Sequence, residues 1–516
     1  LNMTSTLNPI ELGLFSSRIE AVCEEMGAQL QQAAFSPNIR DRLDYSCAVF
    51  DATGALCAQA AHIPVHLGSM AFAMEGIVSQ LQWRPDDMVI LNDPYLGGTH
   101  LPDVTLIAPV FIDQTLLGFV ANRAHHADIG AESPGSMPIS RSLMEEGLLI
   151  PPGHILERGV RDQALMQRIT ESSRNPRDAE GDVAAQIGAN QRGVKRLIEL
   201  VQSMGEANYR QALRDLNDYG ERLALSALCQ IPDGEYRFSD LMDDDGLGNE
   251  DIDIQVAIRV SGGRVVADFS GTHEQVAGNI NCPLSVTAAG VLYAFRCLMP
   301  PQTPACSGSF RPIKLYAPEG SLLNAIRPAA VAAGNVETST RVVDVVLGAL
   351  TKAVPERVPA ASQGSMNNLA MGHSGEHAWG YYETIGGGMG AGKDGGGLSA
   401  VQTHMTNTRN TPIEVLEMRY PLRVTEYAIR HGSGGEGQRY GGEGLVREYE
   451  FLSPAQVTLL TERRRNQPWG SSGGEPGQAG VNLLNEKHLP PKCSEHLSPG
   501  DRLRIETPGG GGFGRK

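Results

Sequence analysis

Sixty glycines in 516 residues, crowded after Gly386 and again at Gly509 to Gly514, restrict this chain more than any other feature of its sequence. A residue without a Cβ enters backbone conformations closed to the others. The region from Tyr381 onward is therefore expected to fold as short strands punctuated by glycine turns. The N-terminal part reads differently. Leu12, Phe15, Ile19, Val22, Met26 and Leu30 recur at three- and four-residue intervals, and Asn8, Pro9 and Glu11 suit a cap, first turn and third helical position. An amphipathic helix is predicted there.

Short apolar runs then take over. Cys47 to Phe50 and Leu56 to Ala61, split by Asp51-Ala-Thr-Gly54, predict a hairpin. Val89 to Asn92, Val104 to Pro109 and Leu116 to Asn122 are further strand candidates, so residues 40 to 140 read as a sheet with polar side chains at strand ends. Arg161 to about Leu228 reads as helical, with a break at Asn175-Pro176. Ile252 to Val260 and Arg264 to Phe269 alternate as strands, and Thr338 to Val354 returns to helix. The expected class is α+β, multi-layered with mixed sheets. One unit is expected, with an N-terminal metal-site region over residues 1–160, a helical segment over 161–232 and an α+β region over 233–516.

With 59 acidic against 43 basic residues the formal charge is −16. The densest basic cluster is only Arg463 to Arg465, which argues against a nucleic-acid binder. No run of about 18 apolar residues is long enough for a bilayer, and Leu1 to Asn8 lacks the features of a signal peptide, so no membrane association and a cytoplasmic location are expected. Eight scattered cysteines without a CxxC pair speak against a thiolate metal site and for small buried thiols.

The richest chemistry lies in Asn92 to Asp103 and in Ala124-His125-His126-Ala127-Asp128. The Gly97-Gly98 pair permits a tight backbone path, after which His100 and Asp103 can converge on one ion. His125 or His126 adds an imidazole, and Asp44 or Asp41 a second carboxylate. Such a nitrogen and oxygen set suits Zn²⁺, Mn²⁺ or Fe²⁺. Singly, these residues are also what strand-end turns use; their clustering favours the metal. His62 and His66 are four apart, but Pro64 between them and the lack of a neighbouring Glu argue against a helical metalloprotease pair, leaving a strand-end or substrate-facing role for one of them. The run Gly387 to Asp394 approaches a P-loop and fails at Asp394, where a hydroxyl should meet Mg²⁺. Thr403 to Pro412 has the hydrogen-bonding side chains of a substrate- or partner-facing loop, or of a turn network.

Asp44-Tyr-Ser, His62 to Met70, Asn92 to Asp103, His125 to Gly130, Pro134 to Met137, Gly334 to Ser339, Thr403 to Pro412, Gly432 to Gly435 and Pro508 to Gly514 together resemble the hydantoinase B/oxoprolinase family over nearly the whole chain. The resemblance implies a metal-binding B-type subunit of an ATP-dependent hydrolase that opens a cyclic amide such as 5-oxoproline, a hydantoin or a lactam. It implies as partner a hydantoinase A-type subunit that binds ATP-Mg, in a hetero-oligomer. It puts the metal ligands at His100, Asp103, His125 and Asp44, with Asp41 as the alternative to Asp44, and gives His126 or Asp128 the task of orienting ligands or moving protons. The alternatives are a subunit of an ATP-dependent ketone carboxylase and a non-catalytic structural subunit. Two departures from the family pattern stand out: Gln402 where a second His is expected, and Ala305-Cys-Ser-Gly308 in place of an Asn-containing segment.

Overall fold

The computed structural model describes residues 7–60 and 63–516. Helix α1 (Pro9–Ala33) opens with a capping box: the Asn8 side chain accepts from the Ile10 and Glu11 amides, and Glu11 accepts from the Asn8 amide. Its predicted apolar stripe is buried throughout. After the single turn α2 (Pro37–Arg40) comes the predicted hairpin, β1 (Tyr45–Asp51) and β2 (Leu56–Gln59). Asp51 Oδ1 closes its turn by accepting from the Thr53 and Ala55 amides.

Helix α3 (Pro64–Gln80) follows, where sheet was expected, with Pro64 as its first residue. Proline is at home there because the first amide of a helix has no internal acceptor. Pro64 therefore starts a helix that carries His66 in its first turn. His62 lies outside the described residues.

Strands β3 (Met88–Leu91), β4 (Asp103–Ile112), β5 (Thr115–His125), β6 (Gly153–Glu157) and β7 (Val160–Arg161) complete an antiparallel sheet of order β2-β1-β5-β4-β3-β6-β7. Alternation divides its side chains. Cys47, Val49, Leu106 and Val120 face the core shared with α1, while Ala48, Phe50, Ile107 and Phe119 face Met70, Met74 and Ile77 of α3. The predicted helical segment is α4 (Gln163–Ser172), α5 (Pro176–Met204) and α6 (Glu206–Leu228); α5 lies with α1 against the sheet.

A second sheet, β8 (Gly234–Asp244), β9 (Glu250–Ser261), β10 (Arg264–Asp268) and β11 (Ile313–Tyr316), is mixed, since β11 runs parallel to β10. Between the sheets stand α7 (Leu284–Arg296) and α9 (Ser339–Leu350), while the short α8 (Ser307–Phe310) packs on α6. Helices α3 and α7 cross closely, at Gly68. A methyl at Gly68 would stand 2.5 Å from Ala289 Cα, so Gly68→Ala is expected to lower stability by about 1–3 kcal/mol, read as a fall in the thermal midpoint. An unchanged midpoint would mean that the two helices part at little cost.

The C-terminal third forms two further sheets, β13-β12-β16-β19 and β14-β15-β20-β17-β18. Their strands are β12 (Asn368–His373), β13 (Trp379–Glu383), β14 (Leu422–Arg430), β15 (Gly444–Phe451), β16 (Ala455–Leu460), β17 (Val481–Leu484), β18 (Lys487–His488), β19 (Lys492–Leu497) and β20 (Arg502–Glu506). The clustered glycines beside them serve a different purpose from the one expected. Within residues 386–397 and 509–514 only Gly514 has a positive φ. The others let backbones touch: Gly388 donates to Pro508 O, Gly442 to Met389 O and Gly510 to Gly442 O, at 2.8–3.0 Å, where a Cβ on Gly388 or Gly510 would collide with main chain. Close approach, and not an unusual dihedral, selects glycine here.

The P-loop-like run Gly387 to Asp394 lies among the C-terminal sheets. It opens no helix, and Lys393 pairs with Glu356 at 2.7 Å. All eight cysteines are free thiols, five of them buried. Among the described residues no helix is long and apolar enough to cross a membrane.

Candidate metal centre

Strand register builds the site. Asp103 begins β4 and lies directly across from His125, the last residue of β5; the His125 amide donates to Asp44 O at 3.0 Å, just before β1 begins. Three neighbouring strands thus bring Asp44, Asp103 and His125 to one end of the sheet. His100 joins them through the turn that follows Gly97 and Gly98. Gly97 has a φ of 105°, and a Cβ on Gly98 would stand 2.6 Å from Asn92 O, so this path admits little but glycine.

His100, Asp103 and His125 each turn one donor atom to the others, all within 4.8 Å, and all three residues are buried. His100 Nδ1 sits 3.3 Å from the Ala332 carbonyl, which can only accept. The proton therefore belongs on Nδ1, and the Nε2 lone pair faces the cluster. Asn38 Nδ2 lies 3.1 Å from His125 Nδ1; turned over, the same amide would present its otherwise unpartnered oxygen to Nδ1–H and fix the same tautomer as in His100. Asp103 Oδ2 is occupied by Thr99 Oγ1 at 2.5 Å, Asn335 Nδ2 at 3.4 Å and His66 Nε2 at 3.2 Å.

What remains is three buried acceptors, His100 Nε2, Asp103 Oδ1 and His125 Nε2, with no hydrogen-bond partner among the described residues. Nε2 of His100 and Oδ1 of Asp103 are 3.3 Å apart. Converging acceptors repel unless a cation sits between them, and buried polar atoms are seldom left unsatisfied. The donor set fits a divalent ion of the Zn²⁺, Mn²⁺ or Fe²⁺ kind.

The electrostatics agree. Burial alone would raise Asp103, yet His100 and His66 hold it well below the ordinary carboxylate value. Burial pushes His125 well below the imidazole value, so it is a neutral ring and a competent ligand. His100 is raised, because Asp103 outweighs its burial. A proton on His100 Nε2 or a metal ion is the alternative cargo of the same gap; the 3.3 Å to Asp103 Oδ1 admits either, and His125 Nε2, turned to the same point, favours the ion. Asp44 is raised by burial, partly offset by Arg42 and His66.

The other predicted residues are placed as follows. Asp44 stands at the edge of the cluster, with His66 Nε2 at 4.0 Å from its Oδ1 and 3.2 Å from Asp103 Oδ2. Asp41 is tied to its neighbour Arg40 at 3.0 Å and is not in the group. His126 Nε2 meets Gln186 Oε1 of α5 at 2.9 Å. Asp128 accepts from the Gly130 and Arg174 amides and from Ser136 Oγ, which ties down the chain after β5. Neither His126 nor Asp128 reaches the three converging atoms.

Two neighbours were not expected. Asn335 comes from a turn of π-helix, Gly334–Thr338. The Tyr382 ring of β13 stacks on His125 at 4.7 Å and 7°, and its hydroxyl donates to Asn368, which in turn donates to Glu337. Burial raises Glu337 to about 8. The Gly334 to Ser339 motif signalled the first of these; nothing in the local sequence signalled Tyr382.

An antiparallel sheet of this α+β protein thus gathers two imidazoles and a carboxylate at its strand ends, roofed by a π-turn and a tyrosine from another sheet. The hydantoinase B/oxoprolinase family model matches residues 8–516, and the chain belongs to that family. It is 40% identical over its whole length to a 5-oxoprolinase of Dictyostelium discoideum, of which it covers 41%. It is 34% identical over 98% of its length to a Pseudomonas protein named as the B-type component of a D-/L-hydantoinase, of which it covers 90%. The chain thus spans less than half of the 5-oxoprolinases it matches and nearly all of the hydantoinase component. Among solved structures, the ATP-dependent caprolactamase of Pseudomonas jessenii superimposes with a TM-score of 0.91 at 28% identity, covering 99% of this chain and 92% of that one. An acetone carboxylase shares the fold, with a TM-score of 0.89 at 18% identity over 99% of this chain and 76% of that one.

Proposed function

We propose that this chain is the metal-carrying B-type subunit of an ATP-dependent cyclic amidohydrolase and works with an A-type subunit that binds ATP-Mg. The observation that carries the reading is the set of three converging, unpartnered donors on His100, Asp103 and His125. A divalent ion held there would supply Lewis acidity, polarising a carbonyl or lowering the pKa of water toward about 7. His100 and His125 enter as neutral rings held by Ala332 O and Asn38. Asp103 supplies one negative oxygen while Thr99, Asn335 and His66 hold the other in place. Asp44 is the fourth, acidic member, and His66 lies between the two carboxylates, where it can pass a proton.

ATP has a separate task. An unstrained amide carbonyl is a poor electrophile, and phosphorylation of its oxygen creates a better leaving group. Lys393, the only P-loop-like lysine, pairs with exposed Glu356 and opens no helix, so that step is assigned to the partner. Support comes from relatives named as a 5-oxoprolinase, a hydantoinase B-type component and an ATP-dependent caprolactamase. The test reconstitutes this chain with its A-type partner and follows ATP hydrolysis and substrate turnover with 5-oxoproline, hydantoin, a lactam and a small ketone, with and without bicarbonate. ATP-dependent opening of a ring is expected. Turnover only with a ketone and bicarbonate would assign the complex to the carboxylases instead. The isolated chain is expected to show no micromolar Mg-ATP binding by calorimetry; such binding, abolished by Lys393→Ala, would contradict the division of labour.

A further inference from the structure

A cavity of about 350 Å³ lies against the first turn of α3, lined on that side by Pro64 and Gly68. His66, between those two residues, reaches Asp103, so one helical turn forms both a wall of the cavity and a wall of the metal centre. Gln402 and Ala305 also line the cavity. They are the two places where the sequence leaves its family pattern, 97 residues apart in the chain, and the fold brings them together around one small space.

The lining is largely apolar, with a few polar side chains set into it, and three of their atoms are unsatisfied. Gln59 Oε1, Gln402 Oε1 and His404 Nε2 are buried without a hydrogen-bond partner among the described residues. Gln402 donates its Nε2 to Thr384 Oγ1 at 3.3 Å, which leaves its oxygen as a fixed acceptor. His404 Nδ1 is 3.4 Å from Tyr293 OH, and a phenol that donates to Nδ1 leaves Nε2–H as a donor. Burial lowers His404 and keeps it neutral. His404 is also held at a φ of 57°, a conformation that non-glycine residues rarely adopt. A donor and an acceptor on one wall are the complement of an amide edge, and Gln59, whose amide can turn either end inward, suits either group.

Arg296 adds a charge. Its guanidinium donates to Pro304 O at 3.4 Å and has no carboxylate within 4 Å among the described residues. Glu20, which shares a neighbouring cavity with it, acts on it without forming an ion pair, and a half-buried cation with no direct ion pair is what a ligand carboxylate would satisfy.

We propose that this cavity receives the cyclic amide, and selects one bearing a carboxylate, with Gln402 accepting from the ring N–H, His404 facing the ring carbonyl and Arg296 pairing with the carboxylate. This rests on the cyclic amidohydrolase reading above and narrows its substrate class.

The test compares 5-oxoproline with 2-pyrrolidinone, the same ring without the carboxylate, by calorimetry on the metal-loaded two-subunit complex. The wild type is expected to prefer 5-oxoproline by about 10- to 100-fold, the range of one charge-assisted contact. Arg296→Met should abolish the preference, chiefly by weakening 5-oxoproline, and Arg296→Lys should keep most of it. Gln402→Leu should weaken both ligands alike. Equal wild-type affinities, or a folded Arg296→Met complex that keeps the preference, would overturn the proposal; Arg296→Gln serves the same purpose if the methionine variant does not fold. An Arg296-dependent preference without any ATP-driven ring opening would leave the site standing and refute the hydrolase reading. Ring opening without Arg296 dependence would do the reverse.

Discussion

In the reconstituted complex, Asp103→Ala is expected to slow ring opening about a thousandfold or more while ATP turnover persists. The effect is large because one carboxylate holds the site together. Its Oδ2 takes Thr99, Asn335 and His66, and its Oδ1 faces His100. Without it, two buried imidazoles lose their anion and the converging acceptors have no charge with which to retain a cation. Asp103→Asn, which keeps the shape and the Oδ2-side hydrogen bonds, separates loss of charge from loss of structure and should be nearly as slow. If a folded Asp103→Ala complex opens its ring at the wild-type rate, the centre is structural and the reacting water is activated elsewhere.

Arg447→Met is expected to destabilise the chain by about 3–5 kcal/mol, with little direct effect on the metal centre. Arg447 and Glu383 are both fully buried and meet at 2.9 Å. Glu383 also accepts from Tyr381 OH and from Asn410 Nδ2 of the Thr403–Pro412 loop. Removing the guanidinium leaves a buried carboxylate with only neutral donors. The double variant Arg447→Met with Glu383→Gln should recover much of the loss, because the cost lies in the unpaired charge and not in the missing attraction. Equal denaturation midpoints for wild type and Arg447→Met would show that water reaches this pair.

Much of this fold is legible in local sequence pattern. The α1 stripe, the Asp51 turn and the strands that end at Leu91, begin at Asp103 and end at His125 carry their own periodicity and turns, and each forms where the pattern predicts. Helix α3 was hidden because Pro64 reads as a breaker, although at the first helical position it is a starter. The role of the C-terminal glycines was hidden for another reason: a close approach between Met389, Gly442 and Gly510 is a tertiary fact, whereas sequence displays only the missing Cβ.

The site divides along the same line. His100, Asp103 and His125 lie near strand ends in one stretch of chain, so their meeting follows from hairpin register. Tyr382 and Asn335 arrive from beyond residue 330, and no spacing rule connects them to β5. His126 and Asp128 look as reactive as their neighbour His125 in sequence. Adjacent residues at a strand end face different surroundings, however, and these two find Gln186 and Arg174.

The most direct test of the central claim is the metal content of the purified chain, measured by mass spectrometry of the ions it carries, beside that of His100→Ala. One divalent ion per wild-type chain, and its loss in a variant that still melts cooperatively, is the predicted result. The same ion content in both proteins would contradict the assignment of His100, Asp103 and His125 as the atoms that hold it.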